Sequence, residues 1–380
     1  RTLLSKHLIT TKKSVASCKI PLFLITNKHP MENRMSQPDQ ASNNTQHHLD
    51  RRNFIGKLGR YSMGGLAAGT TMEMMLAPTY AALQTPSVQP ADIIPPEIVK
   101  VRDNLYLIGG ADATQSSSWT GGSNAVFITE NHGVVLVDTK NPGWGRHMQN
   151  LVKSVTDKPI TTIIVTHTHF DHTASNIEFP DTVDFVAHVN CVRSMSQTTC
   201  NFVTGCEYFQ GENKKYLPKT TFTDRLSLFS GNDRIELYYY GAAHTDGDTI
   251  VHFPALNAIH PGDIYPGRYS PFIDTINGGS GVGYDNVLTN IVENFQDALI
   301  MPGHRDNPEA WAKLVEYQSW WRHNVDEVRA GMKAGKTADQ IADEYVLPAE
   351  HPGFGLNTSG TPTRFKINTN IIYDELKERG

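Results

Sequence analysis

From about residue 95 the chain alternates short apolar runs with Gly-, Asn- and Asp-rich punctuation. The stretches VRDNLYLIGG and SNAVFITENHGVVLVDTK read as short strands broken by Gly and Asn turns, which predicts antiparallel strands at the start of a sheet. A β-branched apolar run predicts a strand at 161–166, and similar runs predict strands at 184–188, 235–240, 249–253 and 298–301. Helical spacing of apolar residues predicts helices at 143–155, 286–295, 308–333 and 338–345. Strands outnumber helices, yet the helices lie between them. That order suits an α/β fold in which sheet layers are covered by helices. Residues 267–283 are rich in Gly, Ser, Asp and aromatic side chains and show no period. So long an irregular segment in a compact body is a candidate functional loop, and we expect it to wall a pocket.

The first 94 residues read differently. Residues 1–50 are mixed basic and polar with no sustained period, so we expect disorder or an upstream extension there. In 51–83, Arg51 and Arg52 precede Phe54, Ile55 and Lys57, followed by a mildly apolar run from Tyr61 to about Ala82. This segment resembles a bacterial twin-arginine export signal, with small residues for cleavage near Ala81 and Ala82. Arg60 and Glu73 interrupt the run, which therefore falls short of the roughly 18 uninterrupted apolar residues of a spanning helix. No stable membrane span is expected. The resemblance implies the twin-arginine export machinery as a partner and a periplasmic or otherwise exported location in a bacterium. The folded body is then expected at 95–350, with 351–380 as a C-terminal extension packed on or near it.

Charge and cysteine content narrow the function further. The first 83 residues hold 11 basic and 4 acidic side chains, whereas the remainder holds 23 basic and 35 acidic ones. A body that acidic is a poor nucleic-acid binder, so we expect no nucleic acid among its partners. The four cysteines are too few for a disulfide scaffold. Cys191, Cys200 and Cys206 match no compact zinc pattern; an oxidising compartment would allow one bridge and leave one thiol, with the pairing open.

The chemistry concentrates in THTHFDHTA, directly after the apolar strand at 161–166. His167, His169, Asp171 and His172 deliver three imidazoles and a carboxylate within six residues. On a strand-end loop, 167 and 169 can converge on one ion while 171 and 172 face a second. Imidazole and carboxylate suit zinc, and also iron or manganese. His244 in GAAHTDGD, Asp263 in HPGDIY and His304 in LIMPGHRD each follow a strand-like run and could complete two coordination shells. His132, His188, His252 and His260 lie in a turn or in apolar strands and read as structural.

This set resembles the metallo-β-lactamase-fold hydrolase superfamily, whose signature is HxHxDH followed by a ligand His, a ligand Asp and a final His. The resemblance covers about 98–310. It implies an αββα four-layer sandwich and two divalent ions, zinc first, with iron or manganese as alternatives. It also implies a division of ligands: His167, His169 and His244 on one ion, Asp171, His172 and His304 on the other, and Asp263 bridging. Asp138 in LVDTK matches an acidic residue that supports the ligand loop. The implied activity is that of a dinuclear metallohydrolase, with metal-bound hydroxide attacking a small substrate and Asp171 orienting it and passing a proton on.

Substrate is less legible. Asp263 points away from true β-lactamases, toward glyoxalase-II-like, lactonase-like and phosphodiesterase-like branches. Thr173-Ala174, where relatives often carry Gly-Gly, leaves the substrate class open. We expect a small ester, lactone, thioester or amide, including β-lactams. The alternatives are a phosphodiester and, from other classes, di-iron redox chemistry or metal-dependent binding without catalysis. Trp119, Tyr265, Arg268, Tyr269 and Phe272 are candidate pocket residues; an Arg among aromatics could pair with a substrate carboxylate. Oligomeric state is not legible.

Overall fold

The computed structural model describes residues 95–110, 120–201, 203–351, 354 and 363–379. Both N-terminal segments and Trp119 lie outside the described residues.

Two sheets carry the fold. The first joins β1 (Ile98–Lys100), β2 (Leu105–Ile108), β3 (Asn124–Ile128), β4 (Val134–Val137), β5 (Ile160–Ile164), β6 (Asp184–His188) and β7 (Thr220–Phe222) in sequence order. It is antiparallel from β1 to β4 and parallel from β4 to β7. The second has the order β12 (Leu299–Ile300), β11 (Ala258–His260), β10 (Ile250–Phe253), β9 (Ile235–Tyr238) and β8 (Arg225–Leu228), with only β11 and β12 parallel.

Side-chain alternation sorts the apolar residues into three layers. Val135 and Val137 point into the space between the sheets, beside Leu105, Leu107, Phe127, Ile164, Leu237, Val251 and Phe253. Their neighbours Val134 and Leu136 point outward, beneath α1 (Gly145–Lys153) and, beyond the short α2 (Phe170–Thr173), α3 (Val189–Met195), which contribute Met148, Val152, Cys191 and Met195. A strand that is apolar on both faces therefore belongs in a central layer, which explains why β4 shows no polar alternation. On the far side, Ile250, Ile259 and Ile300 are covered by α4 (Gly281–Asn294), α5 (Trp311–Lys333), the short α6 (Ala338–Glu344) and α7 (Arg364–Arg379). Trp320 and Trp321 of α5 are fully buried there. The result is the αββα sandwich that the sequence resemblance implies.

Where boundaries differ from the sequence expectation, packing is the reason. Helix α4 starts at Gly281 rather than 286, with Ser280 Oγ accepting from Gly283 N at 2.8 Å. Gly281 and Gly283 press on Ile372 and on the Ala242 carbonyl so closely that a Cβ would lie 2.6 and 2.3 Å from them. The helix start is thus written in glycine, which hides its period. Helix α5 starts at Trp311 rather than 308 because Glu309 exchanges backbone hydrogen bonds with Ile300 at the sheet edge. The three- and four-residue strands β7, β8 and β11 fall below what periodicity can register.

Cys200 and Cys206 form a disulfide, and Cys191 is a buried free thiol. Among the described residues, no helix is long and apolar enough to cross a membrane.

Candidate metal centre

Four strand ends converge on one edge of the sandwich. Beyond β5 the chain bends at His167 and Thr168, is extended again at His169, with φ −65° and ψ 143°, and then turns into α2. The bend supplies His167 and His169, and the helical turn supplies Asp171 and His172. His244 follows β9, Asp263 lies in a 3-10 turn after β11, and His304 follows β12. All seven are buried. Ligand atoms of His167, His169 and His244 lie within 4.8 Å of one another, as do those of Asp171, His172 and His304, and those of His167, His172 and Asp263.

Hydrogen bonds decide which ring nitrogens face inward. Asp138, with φ +62°, accepts from Thr166 N and Thr166 Oγ1, both at 2.7 Å, and from His172 Nδ1 at 2.8 Å. Because the Thr166 hydroxyl proton goes to Asp138, its oxygen must accept from His167 Nδ1, 3.0 Å away. His167 Nε2 is then a bare lone pair, and it has no hydrogen-bond partner. His169 Nε2 donates to Asp274 Oδ2 at 2.8 Å, and His244 Nδ1 donates to the Phe272 carbonyl at 2.6 Å. Their other nitrogens, His169 Nδ1 and His244 Nε2, stand 3.0 Å apart with no proton assigned to either. Three lone pairs thus face one another in a dry site. That arrangement repels unless a cation sits among them, so the residues fit a metal ion.

Protonation agrees with this. Burial, reinforced by neighbouring imidazoles, holds His167 well below the usual range and pushes His244 down to about 4. Both are therefore neutral and ligand-competent at pH 7. The second cluster has the opposite character. Burial is the largest single influence and would lower His172 and His304, but Asp263 and Asp171 together, with Asp138 at His172, outweigh it, and both imidazoles are raised. Three carboxylates beside two imidazoles call for positive charge.

Asp263 lies between the clusters. Its Oδ2 is 3.1 Å from His304 Nε2 and 3.8 Å from His244 Nε2, and its Oδ1 is 3.4 Å from His172 Nε2. Burial alone would raise its pKa, yet His304 and His172 hold it well below the carboxylate range. Asp263 Oδ1 has no hydrogen-bond partner, a second position a cation would satisfy.

The metallo-β-lactamase superfamily profile matches residues 119–304. The matched stretch, just under half of the chain, and the αββα sandwich around it are similar to that superfamily. The chain is similar to the 2,4-dinitroanisole O-demethylase subunit alpha of Nocardioides sp. (strain JS1661), 28% identical over 151 residues, which are 38% of this chain and 43% of that protein. It therefore spans less than half of that relative's length. It is also similar to the metallo-β-lactamase type 2 of Bacteroides fragilis, 24% identical over 188 residues, 48% of this chain and 69% of that protein. Among solved structures, the sec-alkylsulfatase Pisa1 from Pseudomonas sp. shares the fold, with TM-score 0.52 and 14% identity, over 74% of this chain and 50% of that one. The candidate metal clusters all lie within the stretch that this profile matches.

The pocket residues expected from sequence separate. The Phe272 ring lies 5.7 Å from that of His169 and 6.0 Å from that of His244. Tyr265 is fully buried against Tyr317, and its hydroxyl donates to Glu309. Arg268 pairs with Glu316 at 2.6 Å and lies over Phe354, while Tyr269 lies under Arg305. Of the four described, Phe272 places its ring against the cluster histidines.

Apart from Asp138, the residues that aim the ligands carry no signal in the sequence. Asp274 and the Phe272 carbonyl come from the irregular 267–283 segment, which offers no spacing signal. Lys140 is fully buried at φ +70°, and its Nζ donates to the Gly109 and Gly122 carbonyls at 2.6 and 2.7 Å. Burial pushes its ammonium down to about 7. Lys140 thereby pins Gly122, whose Cα faces His172 so closely that a Cβ would lie 2.1 Å from the ring. Gly122→Ala should displace His172 and weaken metal uptake at the second cluster while sparing the first. Metal titration with a chromophoric chelator checks this; two unchanged binding steps would contradict it.

Proposed function

We propose that the protein is a dinuclear zinc hydrolase acting on a small carbonyl substrate: an ester, lactone, thioester or amide. The observation that carries the reading is the convergence of three lone-pair nitrogens, from His167, His169 and His244, beside a carboxylate-rich second cluster. His167, His169 and His244 would hold one ion, Asp171, His172 and His304 the other, and Asp263 both. Five imidazoles in the donor set favour zinc over manganese, with iron as the alternative. Two bound divalent cations supply Lewis acidity, acidifying water and polarising a substrate oxygen.

The chain's own groups do the rest. Asp171, whose Oδ2 is 3.4 Å from His304 Nε2, is the residue to orient the attacking water and to pass its proton to the leaving group. Asp138 fixes the tautomer and direction of His172. The Phe272 ring offers an apolar wall for the part of the substrate that does not react. The hydrolase domain is assigned to 95–350, with 351–380 as its extension; in that extension Glu375 accepts from Ser280 Oγ and Gly281 N at 2.7 Å. The segment 51–83 would direct twin-arginine export to the periplasm, with the metal-containing fold completed before translocation.

Elemental analysis of the purified chain should find about two zinc ions. A substrate panel under the same conditions should show carbonyl turnover that falls at least about a hundredfold in Asp171→Ala. Two iron ions with no hydrolysis would sink the reading. Turnover confined to phosphodiesters, sulfate esters or aryl ethers would replace its substrate class.

A further inference from the structure

The disulfide-closed loop 200–206 touches the ligand motif twice. Its Val203 carbonyl accepts from Phe170 N at 2.9 Å, between His169 and Asp171. Gly205, at φ +59°, lies so close to Phe170 that a Cβ would be 2.5 Å from that residue's Cβ.

A third, indirect link is a chain of side-chain hydrogen bonds. Inside the loop, Asn201 Oδ1 accepts from Thr204 N at 2.9 Å and from Thr204 Oγ1 at 2.5 Å. With its proton committed to Asn201, Thr204 Oγ1 accepts from Asn277 Nδ2 at 3.3 Å. The same Asn277 amide donates at 2.5 Å to Asp274 Oδ2, the oxygen that accepts from His169 Nε2. Asp274 Oδ1 is occupied by the backbone N–H groups of Ile276 and Asn277. Thr204, Asn277 and Asp274 are all buried, so each bond forms without competition from water.

We propose that the loop closed by Cys200–Cys206 is the positioning element of the first cluster. Through Thr204, Asn277 and Asp274 it aims His169 Nδ1 and so sets how tightly that cluster holds its cation. The inference rests on the metal-binding reading above. It goes beyond that reading in assigning a role to a disulfide and to three side chains that are not ligands. A loop of seven residues has little freedom once bridged, so the bridge fixes where Val203 and Thr204 meet the motif. Opening the bridge takes two electrons. A phosphine attacks one sulfur, the other leaves as a thiolate and is protonated, and water then yields the phosphine oxide and the second thiol.

The test is zinc titration of the full chain against a chromophoric chelator, resolving two binding steps. It uses four proteins: the oxidised chain, the chain reduced by phosphine and freed of it by gel filtration under argon, Thr204→Val and Thr204→Ser. Thr204→Val keeps the shape and removes the acceptor; Thr204→Ser restores it. We expect one binding step to weaken about tenfold in the reduced chain and in Thr204→Val, the other to stay within twofold, and Thr204→Ser to match the parent. The unfolding midpoint of metal-free Thr204→Val, measured alongside, should stay near the parent's. Two steps unchanged in the reduced chain and in Thr204→Val would overturn the proposal. So would equal weakening of both steps together with a lowered midpoint, which marks general loosening. A parent chain that takes up no metal would instead overturn the metal reading itself.

Discussion

Asp263→Asn should abolish dinuclear metal uptake and lower hydrolytic kcat/KM by at least about a hundredfold, with the fold retained. The carboxylate stands 3.1 Å from His304 Nε2, 3.4 Å from His172 Nε2 and 3.8 Å from His244 Nε2, in a site nearly closed to water. Asparagine keeps the volume but removes the charge that both clusters share. Its amide nitrogen would also turn donors toward nitrogens that must present lone pairs. Removing one partner from a buried charge network is costly because the remaining charges stay desolvated. Elemental analysis and turnover on one preparation check this, with thermal unfolding as the control for folding. Two retained ions and parental turnover would contradict it.

Asp138→Ala should cost about 3 kcal/mol of stability or more. It leaves three donors, Thr166 N, Thr166 Oγ1 and His172 Nδ1, without their acceptor in a fully buried site. An unpaired buried polar group costs about 1–3 kcal/mol, and the strain of φ +62° is harder on alanine than on aspartate. Asp138→Asn separates stability from aiming. It fills the same space and keeps one acceptor, but directs an amide N–H at a group that should donate. We expect a smaller stability loss and a drop of about 10–100-fold in metal affinity at the second cluster. Urea unfolding of the metal-free protein and chelator titration report the two effects independently. Parental values in both would remove Asp138 from the support of His172.

The two aspartates are not equally legible. Asp263 stands out as a candidate because HPGDIY follows an apolar run and falls in order between His244 and His304. Only the resemblance singles out Asp138; its spacing says nothing of a left-handed turn that reaches Thr166 and His172. The sequence offers Phe272 for its ring, whereas its carbonyl also holds His244. It offers Tyr265 as a pocket side chain, and the structure buries that residue against Tyr317. An aromatic residue near a ligand in sequence can pack on either side of a strand end, and linear spacing does not distinguish the two.

By itself, the sequence pointed to sheets covered by helices and to the candidate donors, and the αββα order followed from the resemblance. Apolar alternation and run length depend on neighbours a few residues apart, so strands and helices could be placed. HxHxDH packs four donors into six positions, so their convergence needed only a turn. Only the tertiary structure decided which nitrogen of each imidazole faces inward, that Cys200 pairs with Cys206, and that the irregular 270–277 stretch supplies the outer partners of His169 and His244. The aim of His169, His172 and His244 depends on hydrogen bonds between residues 28 to 105 positions apart. Local propensity carries no record of such bonds, because the partners meet only after distant segments of the chain have packed.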